Sequence, residues 1–339
     1  MMETWDILRN IWYILIGVLL AGYSILDGFD LGIGTLAPFL AKERKEKKDL
    51  YNAIGPFWDG NEVWLLTGAG ALFAAFPHAY ATVFSGFYLA LMLVLLALIL
   101  RAVSLEFAAH DDVKRRGFWE LLFNVGSFLP ALLFGVALGN VVVGVPLDTQ
   151  MEYTGNFFTL LRPLPLIFGA LGLFAFLVHG STFAALKTEG ELQARARKKA
   201  LRFSWLYMVM FIHSFVVVLI YMPYALKRPL AWVFAVLAAA CWVFLRRAVR
   251  AEKEGRAFFF SAAGFLSLWG IIGSIHYPNL VKASNGDALS ITLTNASSSQ
   301  LTLTVMLIIA LIGMPLVIGY TIYSYKVFRG KVRPEDSVY

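Results

Sequence analysis

The chain has 339 residues, 59% hydrophobic and only 15% charged, with a mean hydropathy of +0.69. A soluble domain of this size carries about 25% charge, so composition excludes an ordinary soluble enzyme and indicates an integral membrane protein. The net charge of +7 does not indicate nucleic acid, because the basic residues fall in short clusters between apolar runs, and such clusters set membrane orientation.

Nine segments are long and apolar enough to cross a bilayer as helices: 10–39, 51–76, 80–107, 118–142, 157–186, 203–226, 229–249, 257–276 and 301–327. Helical length favours a bundle over a β-barrel. The expected fold is all-α, two four-helix bundles plus one extra helix, in a single membrane domain over 1–339. The start lacks the pattern of a signal peptide: only Arg9 precedes the apolar stretch as a positive charge, and no small-residue cleavage site follows. Cys241 stands alone in an apolar run, so no disulfide forms within the chain and the compartment is not legible from it.

The connections give the orientation. KERKEKK at 42–48, the HDDVKRRG loop with Lys114, Arg115 and Arg116, the KTEGELQARARKKALR and RRAVRAEKEGR stretches, and Lys326, Arg329, Lys331 and Arg333 alternate with nearly bare turns. With Arg101 counted at the inner end of span three, 24 of the 29 Lys and Arg residues fall on one side. Positive charge stays in the cytoplasm, which predicts an outer N-terminus, a cytoplasmic C-terminus and an odd number of spans. The longest loop, 277–300, lies outside; its Ser, Thr, Asn and Gly content is that of a surface loop. Ser297, Ser298 and Ser299 suit an N-cap for the last helix.

Within the apolar runs, acidic residues stand out. FWDGNEVWLLTGAG carries Asp59, Asn61 and Glu62 between Trp58 and Trp64, and DGFDLGIG carries Asp27 and Asp30. A carboxylate at this depth costs about 2.5–3.5 kcal/mol on insertion scales. Residues three apart share one helix face, so each pair must face protein, water or a partner. Asp30 and Asp59 are each roughly 12–15 Å from the inner ends of neighbouring antiparallel spans. Asp27, Asp30, Asp59 and Glu62 are therefore expected to form one cluster in the cytoplasmic half of the membrane. Such clusters relay protons, because burial and neighbouring charge bring carboxyl titration towards the working pH. The alternative is structural: carboxyls bonded to Trp, Asn or helix ends to fix packing.

Other polar groups carry weaker signals. Glu106, at the inner end of span three, either feeds protons to the cluster or is simply solvated; Arg101 beside it is read as snorkelling to the interface. His78 and His276 lie near outer ends, His110 in an inner loop, and His179 and His213 within spans. None has the spacing of a paired metal site. A single axial haem ligand at His213 is weighed against ordinary packing, which is preferred. Gly28, Gly32, Gly34, Gly55, Gly60, Gly68 and Gly70 flank the acidic pairs and are read as close-approach positions between helices, since no complete phosphate-loop pattern is present. Trp58 and Trp64 are packing residues that also suit the wall of a proton path or quinone pocket.

At these residues the chain resembles subunit II of the cytochrome bd quinol oxidases. The resemblance runs through LRNIW at 8–12, DGFDLGIG at 27–34, PFWDGNEVWLLTGAGALFAAFP at 56–77, FSGFY at 84–88, YTGNFFTLLRPLPL at 153–166 and SSQLTLTVM at 298–306; 187–260 contributes little. It implies nine spans in a bacterial or archaeal plasma membrane. It also implies a partner, subunit I, that holds two b-type haems and one d-type haem and oxidises quinol while reducing O2 with cytoplasmic protons. This chain would ligate no haem or metal; some family members hold a structural quinone, and small single-helix accessory subunits are a further class of partner. Asp30, Trp58 and Asp59 match family positions associated with a proton route and the subunit contact, whereas Glu62 is Gln in some relatives. Two other readings stay open. A proton-coupled transporter would need a counterpart of the acidic pieces in its second half, where none is found. A pure scaffold would leave turnover unchanged when Asp59 is altered.

Overall fold

The computed structural model describes residues 3–109 and 115–332. His110, Lys114 and Arg333, placed on the inner side by the sequence, lie outside the described residues. In chain order the helices are α1 (Thr4–Leu26), α2 (Gly28–Leu40), α3 (Arg44–Ile54), α4 (Trp58–Ala75), α5 (Pro77–Gly86), α6 (Tyr88–Ala109), α7 (Arg116–Val143), α8 (Pro163–Lys187), α9 (Gly190–Tyr221), α10 (Pro229–Arg250), α11 (Glu254–His276) and α12 (Gln300–Val327). Among the described residues eight helical stretches are long and apolar enough to cross a membrane, with α1 and α2 counted as one, Thr4–Leu40. Asp27 donates its backbone N–H to Tyr23 and accepts from Leu31, so the hydrogen-bond ladder runs through the α1–α2 junction.

The expected span 51–76 is not among the eight. Gly55 and Pro56 end α3, because proline can neither donate a backbone bond nor follow a helical residue comfortably. The remaining helix, α4, has 18 residues, about 27 Å. That length approaches the hydrocarbon thickness, but Asp59 and Glu62 lower its hydropathy. Proline also opens α5, α8 and α10, where its missing N–H is one that a first turn leaves unbonded anyway. Ser299 caps α12, its hydroxyl accepting from the Thr302 N–H at 3.2 Å, in line with the serine run.

Helix α8 is central and packs against α2, α7, α9 and α11; α12 lies on the outside against α1 and α4. Helices α2 and α8 cross with their backbones close together. A Cβ on Gly32 would fall 2.1 Å from the Phe176 carbonyl oxygen, and one on Gly180 would fall 2.5 Å from the Gly32 carbonyl carbon. Phe29 and Phe183 stack beside this crossing with centroids 3.8 Å apart. Gly34 meets Ser127, and Gly68 meets Leu20, but Gly60 and Gly70 have nothing within 4 Å. Glycines of the first acidic piece thus serve helix approach, whereas these two sit on an open face of α4.

The 277–300 loop is more ordered than its composition predicts. β1 (Asn279–Val281) and β2 (Ile291–Thr292) pair antiparallel. Val145, after α7, bonds Lys282 and Ser284 through its backbone at 2.9 Å. Ile291 and Leu293 are buried, and these apolar positions within a polar stretch are what the loop folds around. Trp5 and Trp12 of α1 reach across to the carbonyls of Ser298 and Leu303.

On the opposite side, Glu46 of α3 ties three elements. It accepts from the backbone N–H of Lys42 at 2.6 Å and of Glu43 at 3.2 Å, and pairs with Arg195 of α9. Burial opposes its charged form, but these donors outweigh it and hold the carboxyl below its ordinary value of 4.5. A group whose folded pKa is lowered stabilises the fold above its unfolded value, and this is lost as pH falls through the lowered one. Glu46→Gln is therefore expected to lower the melting temperature at pH 7, with the gap to the parent protein closing below pH 4.5. A gap independent of pH would contradict this account.

Candidate functional site: a buried charge cluster

The site is built where the α1–α2 junction, α4 and α6 meet. Asp27 sits at the junction with 0% of its surface exposed, and Arg101 of α6 is 2% exposed. Arg101 Nη2 donates to Asp27 Oδ1 at 2.8 Å and also to Glu62 Oε1 of α4. One guanidinium thus bridges carboxylates from two helices. The Glu62 side chain keeps 24% exposure, so one member of the triad reaches the surface of the chain.

One residue along α4, Asn61 extends the network. Its Nδ2 donates to Asp30 Oδ2 at 2.8 Å and to the Leu26 carbonyl at 2.9 Å, and its Oδ1 accepts from the Tyr325 hydroxyl at 3.2 Å. Asp30 is 1% exposed. Its Oδ1, like Asp27 Oδ2 and Arg101 Nη1, is buried without a hydrogen-bond partner among the described residues. The cluster therefore sets three carboxyl groups against one guanidinium and leaves acceptor oxygens free. That imbalance suits the uptake of a positive charge.

The structure sorts the residues singled out from the sequence. Asp27, Asp30, Asn61 and Glu62 come together. Asp59 does not join them: it lies in the first turn of α4, because the helix starts at Trp58, and it is exposed on the outer face. Glu106 is exposed on α6, past Arg101. Trp58 is half-buried against the core that holds Phe29 and Phe57. Trp64 is half-buried with its ring over Gly22, where any Cβ would fall within 2.5 Å. Arg101 corrects the snorkelling reading. Two carboxylates on facing helices draw it inward, and an arginine that finds both has no reason to reach for the interface. The sequence signal was an arginine flanked by apolar residues on both sides in LALILRAVSLEF. Tyr325 near the end of α12 was missed altogether.

Among the described residues no group of three or more His, Cys, Asp or Glu is placed to hold a metal ion. His179 is fully buried, with both ring nitrogens engaged by Ser261 Oγ at 2.6 Å and the Ile25 carbonyl at 2.8 Å. That leaves neither nitrogen for a haem iron. His78 and His213 are exposed. His276 is buried with both ring nitrogens unpartnered, at the edge of an apolar cavity of about 410 Å³ lined also by Tyr13, Leu72, Phe87, Phe168 and Trp269.

Helices long and apolar enough to span a bilayer, with an ion cluster buried between them, define an integral membrane protein. Comparison with known proteins gives the family. The sequence pattern of the cytochrome bd terminal oxidase subunit II family matches residues 8–328, and the chain belongs to that family. It is 37% identical to the cytochrome bd ubiquinol oxidase subunit 2 of Bacillus subtilis, covering 97% of this chain and 98% of that protein. It is 34% identical to the cytochrome bd-I ubiquinol oxidase subunit 2 of Escherichia coli K12, over 99% and 98%, and 36% identical to a probable cytochrome oxidase subunit 2 of Haemophilus influenzae, over 98% and 97%. The bd oxidase structure from Geobacillus thermodenitrificans superposes with a TM-score of 0.79 at 17% identity, covering 95% of this chain and 98% of that one; at this identity the likeness shows the fold alone. The chain is thus a membrane-embedded subunit of a terminal oxidase assembly.

Proposed function

We propose that this chain is the haem-free subunit of a quinol:O2 oxidoreductase. It holds the haem-bearing subunit I in place and conducts protons from the cytoplasm towards the site where O2 is reduced to water. The observation that carries this reading is the Asp27–Arg101–Glu62 cluster with its Asn61 bridge to Asp30, set inside a chain of the oxidase family. Two b-type haems and one d-type haem in subunit I would supply the electron transfer and oxygen chemistry. Protons taken from the cytoplasm, while quinol oxidation releases them outside, would build a gradient without a pump.

In this account α4 forms the ninth span, the N-terminus is outside and the C-terminus is cytoplasmic. Glu106 and Glu62 admit protons at the surface of the chain. Asp30, with one free oxygen, holds a proton inside. Asp59, on the open face of α4 beside Gly60, stands at the contact with subunit I, where it hands the proton over. The 410 Å³ apolar cavity supports a structural quinone in this subunit, with the His276 ring nitrogens available to its carbonyl oxygen.

One observation favours a scaffold reading instead: Arg101 ties Asp27 and Glu62 as a structural clamp would. Asp59→Asn separates the two, because Asp59 is outside the clamp. The proton-route reading predicts a loss of oxygen consumption of about a hundredfold or more, the scale that general acid–base groups contribute, in a complex with its full haem complement. Unchanged turnover would leave only the scaffold.

A further inference from the structure

We propose that the ends of α9 and α10 nearest Arg246 form a binding site for the phosphate of an anionic phospholipid in the adjoining leaflet. Arg246, one turn from the end of α10, is only 7% exposed. Its Nη1 donates to the Leu201 carbonyl at 2.8 Å and to Ser204 Oγ at 2.6 Å. Its guanidinium carbon lies 4.7 Å from the ring centre of Trp205 and 5.2 Å from that of Trp242. The Trp242 N–H donates to the Ser204 carbonyl at 2.7 Å, so both helices fix the box.

What the box lacks is a negative charge. Among the described residues no carboxylate pairs with Arg246, nor with the exposed Arg247 and Arg250 further along α10 or Arg202 on α9, and Arg246 makes no other hydrogen bond. Arg197, further down α9, shows the contrast: it pairs with Glu252 at 2.9 Å and with Glu254 at 2.5 Å. A buried guanidinium without a counter-charge is costly, and its planar fork matches a phosphate oxygen pair. The surroundings point to a lipid source. Trp205 is 54% exposed, and Leu206, Val243 and Phe244 present apolar surface beside it, which suits acyl chains below a headgroup. Tryptophan and arginine at a helix end are also the residues of the membrane interface. The stretch lies in 187–260, outside the strings that carry the family resemblance, and the inference is independent of the proton route.

The test uses the assembled complex in mild detergent, titrated with phosphatidylglycerol or phosphatidylcholine of matched chains and read by native mass spectrometry. The variants are Arg246→Gln, which removes the proposed phosphate ligand, and Arg202→Gln/Arg250→Gln, which spares the packed Arg246; haem content reports that assembly survives. Each arginine removed is expected to weaken phosphatidylglycerol binding about fivefold, with phosphatidylcholine unaffected. Equal phosphatidylglycerol affinity in Arg246→Gln and parent would overturn the proposal. Displacement of the lipid by millimolar inorganic phosphate would also overturn it, by assigning the box to a free anion.

Discussion

Arg101→Leu is expected to destabilise the folded subunit by about 3–5 kcal/mol, the cost of stranding a buried charge without its partner. Asp27 has no exposed surface, and its Oδ1 loses its guanidinium donor at 2.8 Å. Leucine fills much of the volume but returns no charge, so water or a proton must enter the helix junction. The loss reaches further than one pair, because Glu62 is released as well and α4 loses its tie to α6. The companion variant Asp27→Leu/Arg101→Leu is expected to recover most of the stability, since exchanging both buried charges for apolar groups is often neutral. Thermal melts of the detergent-solubilised complex read both. An Arg101→Leu protein that melts with the parent would show that the bridge carries no stability.

Gly32→Val is expected to disrupt the α2–α8 crossing. Even Gly32→Ala places a Cβ 2.1 Å from the Phe176 carbonyl oxygen and 2.9 Å from Gly180. Both obstacles are backbone, which no rotamer change moves aside. Overpacking of this kind costs typically 1–3 kcal/mol or more, and the branched side chain of valine adds to it. Gly60→Ala and Gly70→Ala are the controls: each Cβ enters open space, and alanine suits a helix better than glycine. Neither is expected to lower the melting temperature of the separated subunit. If Gly32→Val and Gly60→Ala behaved alike, the close approach would not be what seats α2. In the proposed proton route that seating matters, because α2 carries Asp30 in its first turn.

Much of this arrangement was legible in the sequence. Acidic residues in apolar runs had to face protein, and Asp27, Asp30 and Glu62 do. Helical spacing and charge clusters placed α7, α10, α11 and α12 to within three residues, whereas α9 begins 13 residues before its expected start and the expected span 80–107 is divided between α5 and α6. What stayed hidden depended on packing between distant segments. Arg101 lies 74 residues from Asp27 and 39 from Glu62, and no local pattern announces such a bridge. Asp59 looks equivalent to Glu62 until Pro56 moves the helix start and turns it outward. Gly60 and Gly70 resemble Gly32 in composition, and only the neighbouring helices tell a crossing from an open face. The β1–β2 pair escaped notice because Ile291 and Leu293 are few apolar residues in a polar loop.

Proton passage through the buried cluster is probed by Asp30→Asn. Asparagine keeps the shape and can still meet Asn61, but it neither takes nor releases a proton. The measurement is quinol-driven oxygen consumption by the purified complex at matched haem d content. A fall of about a hundredfold or more with assembly intact is expected; turnover equal to the parent complex would rule out proton passage through Asp30.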